Sequence, residues 1–333
     1  MRYLKGYSLL LLMASLAACS KSSNTTTLVG NWIKRSEFEG VARTSAASFV
    51  IDNKAYVGTG YDGTNRLQDF WMYDADQNQW TQMTPFSGPA RSNAVGMAMA
   101  GKGYVGTGYD GLNKLNDFYE YTPPPVNSWA RKADFKGTAR YGAVAFSLKD
   151  LGYIATGYDG NWLKDNWQYN PVTNTWEQVQ SLNSGKRTDA SVFVIDNKAY
   201  VCMGTANSTA VTDFYSFDGD TKTWTTLNPI ANVNDDSFDD AYNFAGSGSA
   251  SFAMKGKGYI VSGIKGSYSG AVWEYTPGTD RWTQKTDFEG AARTGATGFA
   301  VKDRGFVVLG ASSSLNLDDM WEFDPNAEYN KND

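Results

Sequence analysis

One pattern recurs six times along the chain. It reads Arg-x-x-Ala-x-x-Phe, Lys-x-Tyr-Val, Gly-Tyr-Asp-Gly, Asp-Phe-Trp-x-Tyr-Asp, then Trp-Thr, most clearly in the first units. The aromatic residue after the Lys is Tyr56, Tyr104, Tyr153, Tyr200, Tyr259 or Phe306. Thirteen positions earlier stand Arg43, Arg91, Arg140, Arg187, Gly246 and Arg293. The Trp opening the last segment of each unit is Trp32, Trp80, Trp129, Trp176, Trp224 and Trp282, and the next Arg follows eleven residues later. Only between Trp224 and Gly246 is the gap twenty-two, an eleven-residue insertion. Units of about 48 residues are too small to bury their own apolar faces, so they must stack on one another.

Each unit holds four short runs rich in Val, Tyr, Phe, Trp and Ala, separated by Gly and Asp turns. In the first unit these are 46–52, 54–59, 69–74 and 79–83. Apolar and small residues occupy both faces, as in strands packed between neighbours, and no segment keeps a helical period. Four strands in each of six units predict an all-β chain, a six-bladed β-propeller of four-stranded antiparallel blades. The motif resembles the kelch repeat: a glycine turn after the second strand, then Tyr, then Trp seven residues on, as in Tyr169 to Trp176. The resemblance covers residues 30 to about 326. It departs from the family in keeping only the second glycine of the usual doublet (Gly60, Gly108, Gly157, Gly204, Gly263, Gly310). WD repeats, the other propeller unit of this length, expect a Gly-His pair, and the chain has no His.

The ends suggest how the ring is sealed. The chain opens on an outer-strand sequence, 31–36, containing Trp32, and stops after a third strand, 319–324, with Asn330 where a Trp is due. The N-terminal strand is therefore expected to complete the last blade and hide its edge. Residues 327–333 form a tail.

Residues 1–18 read as a signal peptide: Arg2 and Lys5, an apolar run from Tyr7 to Ala18 too short to span a bilayer, and small residues before Cys19. Leu16-Ala17-Ala18-Cys19 resembles the lipobox of bacterial lipoproteins, which implies cleavage before Cys19 and a diacylglycerol on its thiol. Residues 19–29 would be the lipidated Cys and a polar tether. Ser20 after the Cys implies, by resemblance to enterobacterial sorting, the outer membrane of the cell envelope. Without Arg2 and Lys5, 28 basic residues face 35 acids, a charge near −7. That balance argues against a nucleic-acid partner. A monomer is expected.

Propellers gather the 2–3 loops and the inter-blade loops on one face. The expected ligand-facing set is Arg43, Arg91, Arg140, Arg187 and Arg293 with the turn residues Tyr61, Tyr109, Tyr158, Asp62, Asp110 and Asp159. Arg offers a planar fork to oxygens and a phenol ring stacks on sugar or peptide. The competing reading is architectural: the aspartates make tight turns, and the arginines pair with Asp69, Asp117, Asp165, Asp213 and Asp318. Trp162 takes the place of Arg66 and Lys114 in the third turn, to stack on a sugar or on the adjacent blade. The acidic insertion 232–245 reads as a solvated loop, having no Asp-x-Asp-x-Asp-Gly spacing for a cation. Cys202 reads as an inert buried thiol, without His to activate it.

The absence of His excludes Ser-His-Asp and Cys-His catalysis and imidazole metal sites. It also excludes the copper chemistry of the galactose oxidases to which the resemblance points. No cofactor or metal is expected and no catalytic residue is assigned. The expected function is a non-catalytic binding module for a glycan, peptide or partner protein. The resemblance also admits a sugar-active alternative, the six-bladed sialic acid mutarotases, which need only an acid, a base and an arginine.

Overall fold

In the computed structural model the described residues are 28–233 and 242–332. The signal segment, Cys19, nearly all of the tether, and Asp235, Asp236, Asp239 and Asp240 of the insertion lie outside them. Every regular element among the described residues is a β-strand. Six four-stranded antiparallel sheets follow one another, beginning with Ala47–Ile51, Lys54–Gly58, Phe70–Asp74 and Gln79–Met83. The sixth combines Thr297–Val301, Arg304–Val308 and Met320–Asp324 with the N-terminal strand Asn31–Arg35. There Trp32 lies opposite Phe323, stacked on it at 4.5 Å and edge-on to Phe288 at 4.8 Å.

Burial follows strand position. The innermost strand of each blade alternates between core and channel, and the second is buried on both faces. The outermost strand turns its Trp inward and its polar residues to water. The core is divided into wedges between adjacent blades. One wedge packs Phe49, Tyr56 and Phe70 of the first blade against Val105 and Tyr121 of the second. Gly103 permits that approach, since a Cβ there would lie 2.2 Å from the Phe49 ring.

The kelch-like glycine turn explains its own departure from a doublet. The retained glycines have φ between +92° and +107°, a region essentially closed to side chains. The position before each has φ of +55° to +65° and is held by Thr59, Thr107, Thr156, Met203, Ser262 and Leu309. That is the left-handed region, which other residues enter at a cost of about 1–2 kcal/mol. The first glycine is dispensable and the second is not.

Two circuits of backbone hydrogen bonds join the blades on the loop-rich face. The N–H of each retained glycine donates to the carbonyl of the residue opening the next unit, from Gly60 to Arg91 (2.7 Å) round to Gly310 and Arg43 (2.8 Å). Closer to the axis, Ser45, Asn93, Gly142, Asp189, Gly248 and Gly295 all have φ of +53° to +66°. Each donates its N–H to the carbonyl of its predecessor, at 2.8–3.2 Å, and Ser45 closes the circle on Gly295. This ring frames the channel mouth. Below it the channel wall is made of small neutral residues such as Ala46, Ala94, Ser249 and Gly298.

Candidate ligand site on the loop-rich face

The five arginines do not face a ligand. Each is fully buried. Arg43 grips Asp69 with both Nη atoms at 2.6 Å, donates Nη1 to the Thr59 carbonyl and Nε to the Val41 carbonyl, and lies on the Phe38 ring. Arg91 repeats this with Asp117, Arg140 with Asp165 and Arg293 with Asp319. Arg187 pairs with Asp213. The donors are consumed internally, so these side chains are architecture. The partner of Arg293 is Asp319, not Asp318, because the last unit keeps the spacing of 26 found in the first two. The ion pairs also stay within a unit. What ties blade to blade is the arginine's carbonyl, through the glycine circuit. Burial alone would raise the Asp69 and Asp319 pKa values, but the guanidinium forks outweigh it and hold both carboxyls low.

The turn aspartates are spent on their own turns. Asp62 Oδ1 accepts the Thr64 and Asn65 amides at 2.7 and 2.6 Å, and Asp110 Oδ1 accepts those of Leu112 and Asn113. These amides lower both pKa values. Asp159 accepts the Asn161 amide at 2.9 Å.

The tyrosines, by contrast, line a cavity of about 430 Å³ over the first three blades, with Thr44, Ser45, Arg66, Ser92, Asn93, Leu112, Lys114 and Tyr141. Tyr61 and Tyr109 are fixed by their phenol groups, which donate to the Gly63 and Gly111 carbonyls at 2.6 and 2.7 Å. The Arg66 guanidinium lies between these rings, 4.7 Å from one and 5.0 Å from the other. Lys114 sits over Tyr158 at 5.8 Å. The aromatic arc continues from Tyr109 through Tyr141 to Tyr158 at 5.8 and 5.6 Å. Trp162, half-buried, meets Tyr158 edge-on at 5.3 Å, just outside the lining. Neither Arg66 nor Lys114 has a carboxylate within ion-pair distance among the described residues, and Arg66 Nε is buried without a hydrogen-bond partner.

The Kelch motif model matches residues 42–87 and 139–183. In those two units the repeat is the kelch motif. The solved "Structure of YjhT" superposes with a TM-score of 0.73 over 85% of this chain and 95% of that one, at 16% identity. That likeness carries the fold alone. No curated protein matches the chain in sequence.

Two site residues stand out only as breaks in the repeat. Tyr141 replaces the small hydroxyl residue that follows the opening position elsewhere (Thr44, Ser92, Thr188, Ser247, Thr294). Asp189 is the one ionisable residue of the channel-mouth ring and lines a central cavity that shares Ser45 and Asn93 with the tyrosine cavity. It keeps a partial opening to solvent yet is crowded by protein on almost every side. That burial pushes its pKa up to about 6, against a hydrogen bond involving Thr188 that lowers it. Burial also raises the Tyr141 pKa, and the Asp189 charge adds to this. Comparing the first and second positions after the opening residue would have found both.

Cys202 is buried, and desolvation drives its thiol pKa up. Among the described residues no group of three or more His, Cys, Asp or Glu is placed to hold a metal ion.

Proposed function

We propose that the protein is a lipid-anchored, non-catalytic recognition module of the bacterial cell envelope, tethered through Cys19 at the outer membrane. Its loop-rich face takes an acidic glycan or peptide segment. The observation that carries this is the pair of cations, Arg66 and Lys114, held without carboxylate partners on tyrosine rings in one cavity. A stacked guanidinium keeps its fork free for a carboxylate. Tyr61, Tyr109, Tyr141 and Tyr158 supply faces for sugar rings or peptide planes, with Trp162 extending the arc. The buried arginines and the turn aspartates hold these groups in place. A glycan and peptide array tests the reading. Acidic ligands are expected to bind over neutral counterparts, and Arg66→Ala to abolish the preference. Equal capture of neutral and acidic ligands overturns it.

A second reading, a sugar mutarotase, is favoured by one observation. Asp189, its pKa raised to about 6, lines the central cavity that shares Ser45 and Asn93 with the cavity of Arg66 and Tyr141, so an acid-base group, a phenol and a carboxylate-binding cation lie in adjoining cavities. Proton-NMR exchange on N-acetylneuraminate decides: unchanged anomer interconversion removes this reading.

A further inference from the structure

The fifth kelch unit has lost both halves of the buried ion pair. Gly246 stands where the other units have Arg, and Ala271 where they have Asp69, Asp117, Asp165, Asp213 and Asp319. In their place is a cavity of about 220 Å³ walled by Met203, Phe244, Ile260, Ala271 and Trp273. Phe244 and Trp273 are stacked at 4.6 Å, 16° from parallel. The Trp273 side chain is 8% exposed, and its Nε1–H has no acceptor among the described residues. In the first, third and sixth blades the equivalent indole N–H donates to the paired aspartate: Trp71 to Asp69, Trp167 to Asp165 and Trp321 to Asp319, at 2.7–2.8 Å. The fifth blade keeps the donor and lacks the carboxylate.

We propose that this cavity binds a small monocarboxylate with a flat or short apolar body, its carboxylate standing where Ala271 replaces the aspartate. A buried indole N–H without an acceptor is unfavourable, and a ligand oxygen relieves it. The cavity's one lining charge is positive: the Lys265 ammonium, whose hydrogen bond runs to the Asn243 carbonyl rather than to a carboxylate. A cationic ligand would meet that charge with no anion to offset it. A neutral hydrocarbon would leave the indole unpaired. An aromatic or branched acid satisfies the donor, the ammonium and the apolar wall together. The arginine cannot simply be restored, since a Cβ at Gly246 would lie 2.3 Å from the Ile264 carbonyl oxygen.

Nitrogen-15 NMR of the tryptophan indoles, on the mature chain, tests this with phenylacetate as probe and phenylacetamide and benzylamine as controls. The Trp273 signal is assigned by its loss in Trp273→Phe. Phenylacetate is expected to move that signal saturably in the millimolar range, and benzylamine to leave it still. Trp273→Phe should weaken phenylacetate at least about tenfold by calorimetry, the loss of one charge-assisted hydrogen bond. Ala271→Asp, which supplies an internal carboxylate, should abolish binding while circular dichroism stays that of the wild type. No saturable shift, equal affinity for phenylacetamide, or undiminished binding in either variant overturns the proposal.

Discussion

Single residues divide by whether their polar atoms are already spent. Arg91 has its fork on Asp117 and its remaining donors on the Thr107 and Pro89 carbonyls. Arg91→Ala strands a buried carboxylate, so urea unfolding should show a loss of about 3–5 kcal/mol. Unchanged stability would return Arg91 to the set of free ligand-facing groups. Asp189 gives a pH signature of the opposite kind from the paired aspartates. Its folded pKa, about 6, exceeds its ordinary value of 3.8. The folded state therefore holds the proton more tightly, and the group destabilises the fold increasingly as pH rises through that window. Asp189→Asn should unfold with the wild type below the window and at higher temperature above it. Asp69 and Asp319, with lowered pKa values, contribute stability that is present above their unfolded pKa and lost as pH falls through the folded one. A thermal scan across pH separates the two effects.

At the scale of elements, the N-terminal strand is the joint between the chain's two ends. It pairs along its whole length with Met320–Asp324, and the Gly30 amide donates to the Ala327 carbonyl at 3.0 Å. Trp32 is fully buried against Phe288 and Phe323. Trp32→Ala should cost about 3–5 kcal/mol, and deletion of residues 28–38 should lower the melting temperature of the whole ring. A deletion variant that melts like the full mature chain would show that the seal contributes nothing. The strands were legible because their spacing is covalent information. Trp to Arg is eleven residues whatever the blades do in space, and each outer strand turns one Trp inward. The arginine–aspartate pairing was legible as a role, since repetition in every blade marks architecture. Its last partner slipped by one residue, because Asp318 and Asp319 are adjacent; the spacing of 26 from Arg293, as in the first two units, selects Asp319.

For the whole molecule, the hardest feature to foresee was where unrepeated residues meet. Tyr141 and Asp189 lie in different units, 48 positions apart in sequence, and only closure of the ring brings them to one mouth. Arg66 and Lys114 looked like ordinary turn residues, because the sequence does not show that the fold sets them on the tyrosine rings of one cavity with no carboxylate beside them. The proposed envelope address rests on residues 1–29, and mass spectrometry of the membrane fraction should find the mature chain beginning at an acylated Cys19. An unmodified N-terminus would detach the propeller from the membrane. The central claim is that the tyrosine cavity over the first three blades is the ligand site. Calorimetry of the strongest acidic array ligand against wild type and the Arg66→Ala/Lys114→Ala double variant measures it. Loss of both cations should cost at least about 100-fold in affinity, two charge-assisted contacts at roughly tenfold each. An affinity equal to that of the wild type, in a double variant with wild-type melting, would contradict it.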